Sequence, residues 1–450
     1  MTRFFLIGLF LSVGLAAAGR KDQPPALAGD FFLELLAETN AGKRARMLRN
    51  IQQKWHESYI PILLEAGNMA PNRIQRMEIL RVLMDQTGRD FKNGVDDWYQ
   101  WIWRRKENKH PDYGEFKGKL FSRIDPTFIH YFKDRPTTIR LDEVRWGGVK
   151  RDGIPPLRNP KMIPAAEADY LEDGNVIFAV SVNGDTRAYP KRILGWHEMF
   201  VDVVGGESVC GVYCTLCGTV ILYKTTHKGF NFQLGTSGFL FRSNKLMYDR
   251  GTLSLWNTLW GRPVVGPLVG KDIELERLSV VTTTWGEWRK RHPETTVLSL
   301  DTGYKRDYTE GTTYKDYFAT DKLMFGVPKR DRRLKNKAEV LALTFPKHAD
   351  KPLAISAKFL TKHPVYQDKM GDLSIVVLTD PSGANRVYER GELGFISVDG
   401  VKAIDEKGGI WEVGEHGLTS QSGTVLRRLP AHRSFWFAWH SAFENTRLVK

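Results

Sequence analysis

Hydrophobic positions change their spacing along the chain, and the change marks its parts. From Asp30 to about Gly118 they recur at helical intervals: Phe31, Phe32, Leu35 and Leu36, then Ile60, Ile62, Leu63 and Leu64, then Ile74, Met77, Leu80, Leu83 and Met84. Pro61 and Pro71 punctuate the run, so several short helices are predicted, forming a helical accessory domain over 30–118. The stretch DDWYQWIWRRK within it concentrates Trp98, Trp101 and Trp103 beside three cations. A carbohydrate or interface platform is one reading of this cluster; a helix docking its tryptophans on the next domain is the favoured one. Residues 119–164 carry six prolines with Phe128, Ile129, Tyr131 and Trp146 interleaved, as a wrapped connector would. From Asn175 onward the period drops to two: VIFAVSV, the Asn183-Gly184 turn signal, then further short β-runs separated by glycines. The predicted class is α+β, helices first and a mostly-β region after them.

The β pattern occurs twice. Leu275, Leu278, Trp285, Trp288 and Thr295 map onto Leu426, Leu429, Trp436, Trp439 and Thr446 at one constant offset of 151 residues. Upstream, Leu246 to Trp256 resembles Val401 to Trp411, and His197 to Asp202 resembles His363 to Asp368. Two degenerate copies of one β-rich unit follow, at 165–301 and 337–450, with 302–336 between them belonging to neither. Tyrosine and charge dominate that inter-copy segment, which is read as crossing the surface or lying near the first copy's site. Features shared by both copies, the tryptophans and Asp202/Asp368, are read as framework. Features of the first copy alone are better candidates for chemistry, and the cysteines are such a feature.

All three cysteines fall within SVCGVYCTLCGTVILY, residues 208–223. Both flanks read as strands, which makes Cys214-Thr-Leu-Cys-Gly218 the turn of a hairpin. A glycine after Cys217 permits φ > 0, so backbone N–H groups can approach both sulfurs. Three readings are open. The turn is a metal knuckle, completed by ligands from elsewhere; or a redox dithiol, disfavoured because a β-run follows where a helix would lower a thiol pKa; or a structural disulfide. The odd thiol count favours metal. The ligand set is then Cys214 and Cys217 with His197, and with Glu198, Cys210 and Met247 as further members. A methionine in the set suits copper; a carboxylate or water suits zinc. A buried, hydrogen-bonded histidine is the alternative for His197.

Met1 to Ala18 combines Arg3, an apolar run and Ala16-Ala17-Ala18, the pattern of a secretory signal peptide over 1–18. The run is shorter than the roughly 18 residues that span a bilayer, and no later stretch is apolar enough, so a periplasmic or secreted chain with no transmembrane segment in its mature form is expected. A net charge of +14 then points to an anionic envelope surface or another exported protein as partner, and export argues against nucleic acid.

Ala188-Tyr-Pro190, His197-Glu198 with Asp202, Tyr213-Cys-Thr-Leu-Cys-Gly-Thr219, Met247-Tyr-Asp-Arg250 and Phe435-Trp-Phe-Ala-Trp439 together resemble a bacterial exported family known only as a domain of unknown function. The resemblance runs from about Ile139 to Lys450 and leaves the helical segment outside it. Thr215 departs from the family's usual proline. No activity comes with the resemblance.

Asp249 and Arg250 read as an ion pair bracing a turn. Ser237-Gly238 lacks a nucleophile-elbow pattern, and no P-loop, dinucleotide fingerprint or His-Glu-x-x-His occurs. The leading expectation is an exported protein that holds copper or zinc on the CxxCG hairpin with histidine. A periplasmic thiol-disulfide redox protein, and a non-catalytic interaction scaffold with a structural disulfide, are its alternatives.

Overall fold

The computed structural model describes residues 24–91 and 94–450; the signal-peptide reading of 1–18 falls outside them. Six helices open the described chain: Gly29–Ala37, Ala41–Gln53, Tyr59–Asn68, Arg73–Thr87, Val95–Trp103 and Tyr113–Ser122. Their ends are set by local chemistry. Asn40 and Asn72 each accept a hydrogen bond from the backbone N–H three residues on, capping two of them, and Gly88 at φ 65 ends the fourth. The helices share one apolar core with a five-stranded sheet that contains Val144–Trp146 and the strands from Leu234 to Val265. Trp98 and Trp103 are buried in that core, and the Trp103 indole N–H donates to Asp142 O at 3.0 Å. Two of the three tryptophans thus dock, while Trp101 stays half-buried under the Arg105 guanidinium.

The β region contains one architecture twice. In the first copy a sheet orders its strands Val280–Thr284, Val176–Val182, Asp185–Pro190, Thr296–Leu298; in the second the order is His432–Phe435, Glu339–Leu343, Leu353–Ser356, Arg447–Val449. The last two strands named pair in parallel in each copy, with Met162–Pro164 added as an antiparallel edge in the first, and each copy sends a tryptophan-bearing helix, Trp285–Arg291 or Trp436–Ala442, across to reach that pair. Trp288 donates to Thr295 Oγ1 and Trp439 to Thr446 Oγ1, both at 2.9 Å. Asp202 and Asp368 each accept from a tyrosine hydroxyl, but from different places: Tyr189 on a neighbouring strand and Tyr366 two residues earlier on the same strand. The matched indole bonds explain why the tryptophan positions repeat.

A second sheet in each copy holds a hairpin: Glu207–Cys214 with Thr219–Lys224 in the first, Leu373–Thr379 with Asn385–Glu389 in the second. The hairpin turns are exchanged. Thr219 Oγ1 of the first copy donates to Ser434 Oγ of the second at 2.8 Å, and Thr283 of the first bonds Ser382 of the second at 3.1 Å. The turn that carries the thiols is therefore packed against the other copy. Downstream strands diverge: in the second copy they extend one eight-stranded sheet, whereas in the first they form the separate sheet against the helices.

Asp249 and Arg250 do not pair with each other. Asp249 caps its turn through Thr252 and accepts from the Trp256 indole at 3.2 Å, while Arg250 reaches Asp152 at 3.4 Å. Asp249 is the last residue of its strand and Arg250 opens the turn after it, so the two side chains go to different partners.

His432 is buried beside Trp439, and burial, then Arg277, pushes its imidazole down to about 3. The unfolded chain therefore takes up the proton first. The stability that His432 contributes is complete above its unfolded value of about 6.5 and declines as pH falls below it, by up to about 1.4 kcal/mol per pH unit. A urea midpoint that falls between pH 7 and 5, with a shallower fall in His432→Leu, is the expected result.

Candidate functional site

The hairpin turn forms as its residues dictate. Strand pairing closes on Cys214 opposite Thr219, Thr215–Cys217 makes one 3-10 turn, and Gly218 at φ 55 completes the reversal. A Cβ on Gly218 would stand 2.6 Å from the Phe435 ring, so both backbone conformation and packing call for glycine. Cys214 and Cys217 are free thiols with Sγ atoms 2.8 Å apart, 2 % and 0 % exposed. The expected hairpin turn is a single 3-10 turn after Cys214, which brings the second sulfur back over the first, and the β-run resumes at Thr219.

Residues distant in sequence close around the pair. Asn244 Nδ2 donates to Cys217 Sγ at 3.3 Å, and Ser243 O lies 3.3 Å from the same sulfur. Glu198 sits in the left-handed region at φ 55, capping the helix Lys191–His197. Its Oε1 accepts from Thr215 Oγ1 at 2.6 Å and from Tyr314 OH at 3.1 Å, and its Oε2 forms an ion pair with Lys245. Tyr317 OH donates to Leu216 O at 2.8 Å. The inter-copy segment thus lies over the thiols, the second of the two placements expected for it.

The two sulfurs differ electrostatically. Burial pushes the Cys214 thiol up and Glu198 adds to this, but the hydrogen bond from Cys217, the Lys245 backbone N–H and the Lys245 charge outweigh both, leaving it below the usual cysteine range. Burial first, then its hydrogen bond to Cys214 and the charge there, holds Cys217 well above that range. Ionisation is therefore favoured at Cys214 over Cys217.

Of the expected ligand set, Cys214 and Cys217 are together. His197 is fully buried one residue before Glu198, with both ring nitrogens engaged: Nδ1 with Pro155 O at 2.9 Å and Nε2 with Tyr308 OH at 2.6 Å. A carbonyl can only accept, so Nδ1 carries the proton and Nε2 accepts from the tyrosine. This is the buried, hydrogen-bonded histidine. Glu198 borders the thiols but its oxygens are occupied as described. Cys210 and Met247 lie in another apolar cluster, with Trp256, Trp436 and Trp439, where burial pushes Cys210 up to about 12. Two thiolates leave a tetrahedral zinc two ligands short. Among the described residues, no group of three or more His, Cys, Asp or Glu is placed to hold a metal.

Asn244, Lys245, Tyr314 and Tyr317 belong to no motif of the sequence reading. The run Arg242-Ser243-Asn244 between two β-runs signals a turn, and nothing local says which hairpin that turn meets.

A family described as "Protein of unknown function (DUF3179)" matches residues 151–446. No curated protein and no solved structure matches the chain.

Proposed function

The chain belongs to this family of proteins of unknown function over residues 151–446, and from that premise we propose that Cys214 and Cys217 work as a dithiol–disulfide couple. The observation that carries the reading is the 2.8 Å separation of two unlike thiols on one turn, a lower one at Cys214 and a raised one at Cys217. Ionised Cys214 attacks one sulfur of a substrate disulfide and forms a mixed disulfide; the other half leaves as a thiolate and takes a proton. Cys217 then loses its proton and attacks Cys214 Sγ, which releases the second half. Two electrons and two protons pass to the substrate, and the turn is left with a Cys214–Cys217 disulfide. The reverse sequence oxidises a dithiol. Asn244 contributes by donating to the Cys217 sulfur as it gains charge.

Graded glutathione buffers followed by thiol trapping and peptide mass analysis test this. A reversible disulfide is expected between Cys214 and Cys217, with Cys210 untouched, and Cys214→Ser should abolish it. A pair that stays fully reduced across the range from about −300 to −120 mV sinks the proposal. So does one equivalent of copper or zinc that is lost in a Cys214→Ser/Cys217→Ser variant, a result that would restore the metal-site reading.

A further inference from the structure

Beside the thiols lies a cleft lined by Glu198, Cys214 and Lys245 on its polar side and by Phe239, Leu240 and Phe325 elsewhere. Cys214 is 2 % exposed, so its sulfur is reached through this space. A disulfide on the surface of a folded protein cannot be brought to it, whereas a small molecule can.

The polar side is unbalanced. Glu198 already accepts from Thr215 Oγ1 and Tyr314 OH and pairs with the Lys245 ammonium. Lys245 is 5 % exposed, and apart from the Glu198 ion pair its Nζ makes no hydrogen bond among the described residues. An ammonium carries three donors, and burial of unfilled donors is costly. Lys245 is therefore the group here with donors to offer a ligand. Gly238, at φ 85 with Val149 O 2.5 Å from where a Cβ would be, lets the cleft wall approach closely without a side chain.

Resting on the redox reading above, we infer that the substrate of the couple is a low-molecular-weight disulfide or thiol bearing a carboxylate, which accepts from Lys245 Nζ while its sulfur meets Cys214. Lys245 is then a specificity residue that touches the substrate.

Three small disulfides of similar size separate the outcomes: 3,3′-dithiodipropionate, bis(2-hydroxyethyl) disulfide and cystamine. Each is reacted with the reduced full-length protein, and its rate is divided by its rate with a free thiol in the same buffer at high salt, which screens the general basic charge. The dithiodipropionate is expected to lead cystamine by about tenfold, the scale of one charge-assisted hydrogen bond. Lys245→Gln should erase the preference and Lys245→Arg should keep it, with circular dichroism reporting that each variant is folded. The wild-type comparison stands even if Lys245→Gln does not fold. Equal corrected rates, or faster reaction with a folded-protein disulfide, overturn the inference while leaving the couple in place. Failure of every reagent to oxidise the pair overturns both.

Discussion

Arg386→Leu is expected to lower stability by about 3–5 kcal/mol, the range for stripping the partner from a buried charge. Arg386 is 1 % exposed; its Nη1 donates to Asp380 Oδ2 at 2.8 Å and its Nε to Glu415 Oε1 at 2.6 Å, and both carboxylates are buried. Glu415 is held well below the usual carboxylate range because Arg386, with help from His292 and Arg428, outweighs its burial. Removing the arginine takes from both buried carboxylates their closest cation. Asp380 opens the second copy's hairpin turn, the counterpart of the turn that carries the thiols, so this ion cluster secures in one copy what the cysteine turn secures in the other. Arg386→Lys keeps the charge and loses the two-pronged geometry, so its loss should be smaller. Urea unfolding of both variants decides it: a shift below about 1 kcal/mol for Arg386→Leu would mean that the cluster contributes no more than a surface pair.

Gly211→Ala should cost about 3 kcal/mol and disturb the dithiol as well. Gly211 pairs across the sheet with Phe200, whose ring lies over the glycine; an added Cβ would stand 2.0 Å from the ring. The ring cannot swing away, because its other face is stacked on Tyr189 at 3.6 Å and the Tyr189 hydroxyl is tied to Asp202. Something must shift, and the strand that moves ends on Cys214. Phe200→Leu in the Gly211→Ala background should recover part of the loss, since it removes the colliding ring; the two changes touch, so their effects should not add. Additive losses in a double-mutant cycle would disprove the collision.

Elements whose identity depends on neighbours in the chain were legible. The helical spacing of Ile74 to Met84 anticipates the helix Arg73–Thr87, and the β-runs either side of the cysteines anticipate the hairpin. The constant offset between Trp288 and Trp439 identified a repeated unit because each indole makes the same bond to a threonine seven residues on. Asp249 with Arg250 was misread because neighbours in the chain at a strand end send their side chains to different partners. The helical region also runs on: Tyr113–Ser122 and Ile129–Phe132 extend past residue 118, since Pro126 starts a helical turn instead of breaking one.

By itself the sequence determined the fold class and the presence of two thiols on one glycine-closed turn, which follow from propensity and period within a few residues, and the duplication, which follows from self-similarity at a constant offset. Tertiary structure alone decided what surrounds those thiols. Asn244 and Lys245 arrive on another hairpin, Tyr314 and Tyr317 on the segment between the copies, and Phe435 from the second copy. The same packing put Cys210 and Met247 in a separate core and gave both nitrogens of His197 to Pro155 and Tyr308. Long-range contacts of this kind arise when apolar faces of whole elements are buried together, and no local pattern encodes which polar side chains that burial carries to one point.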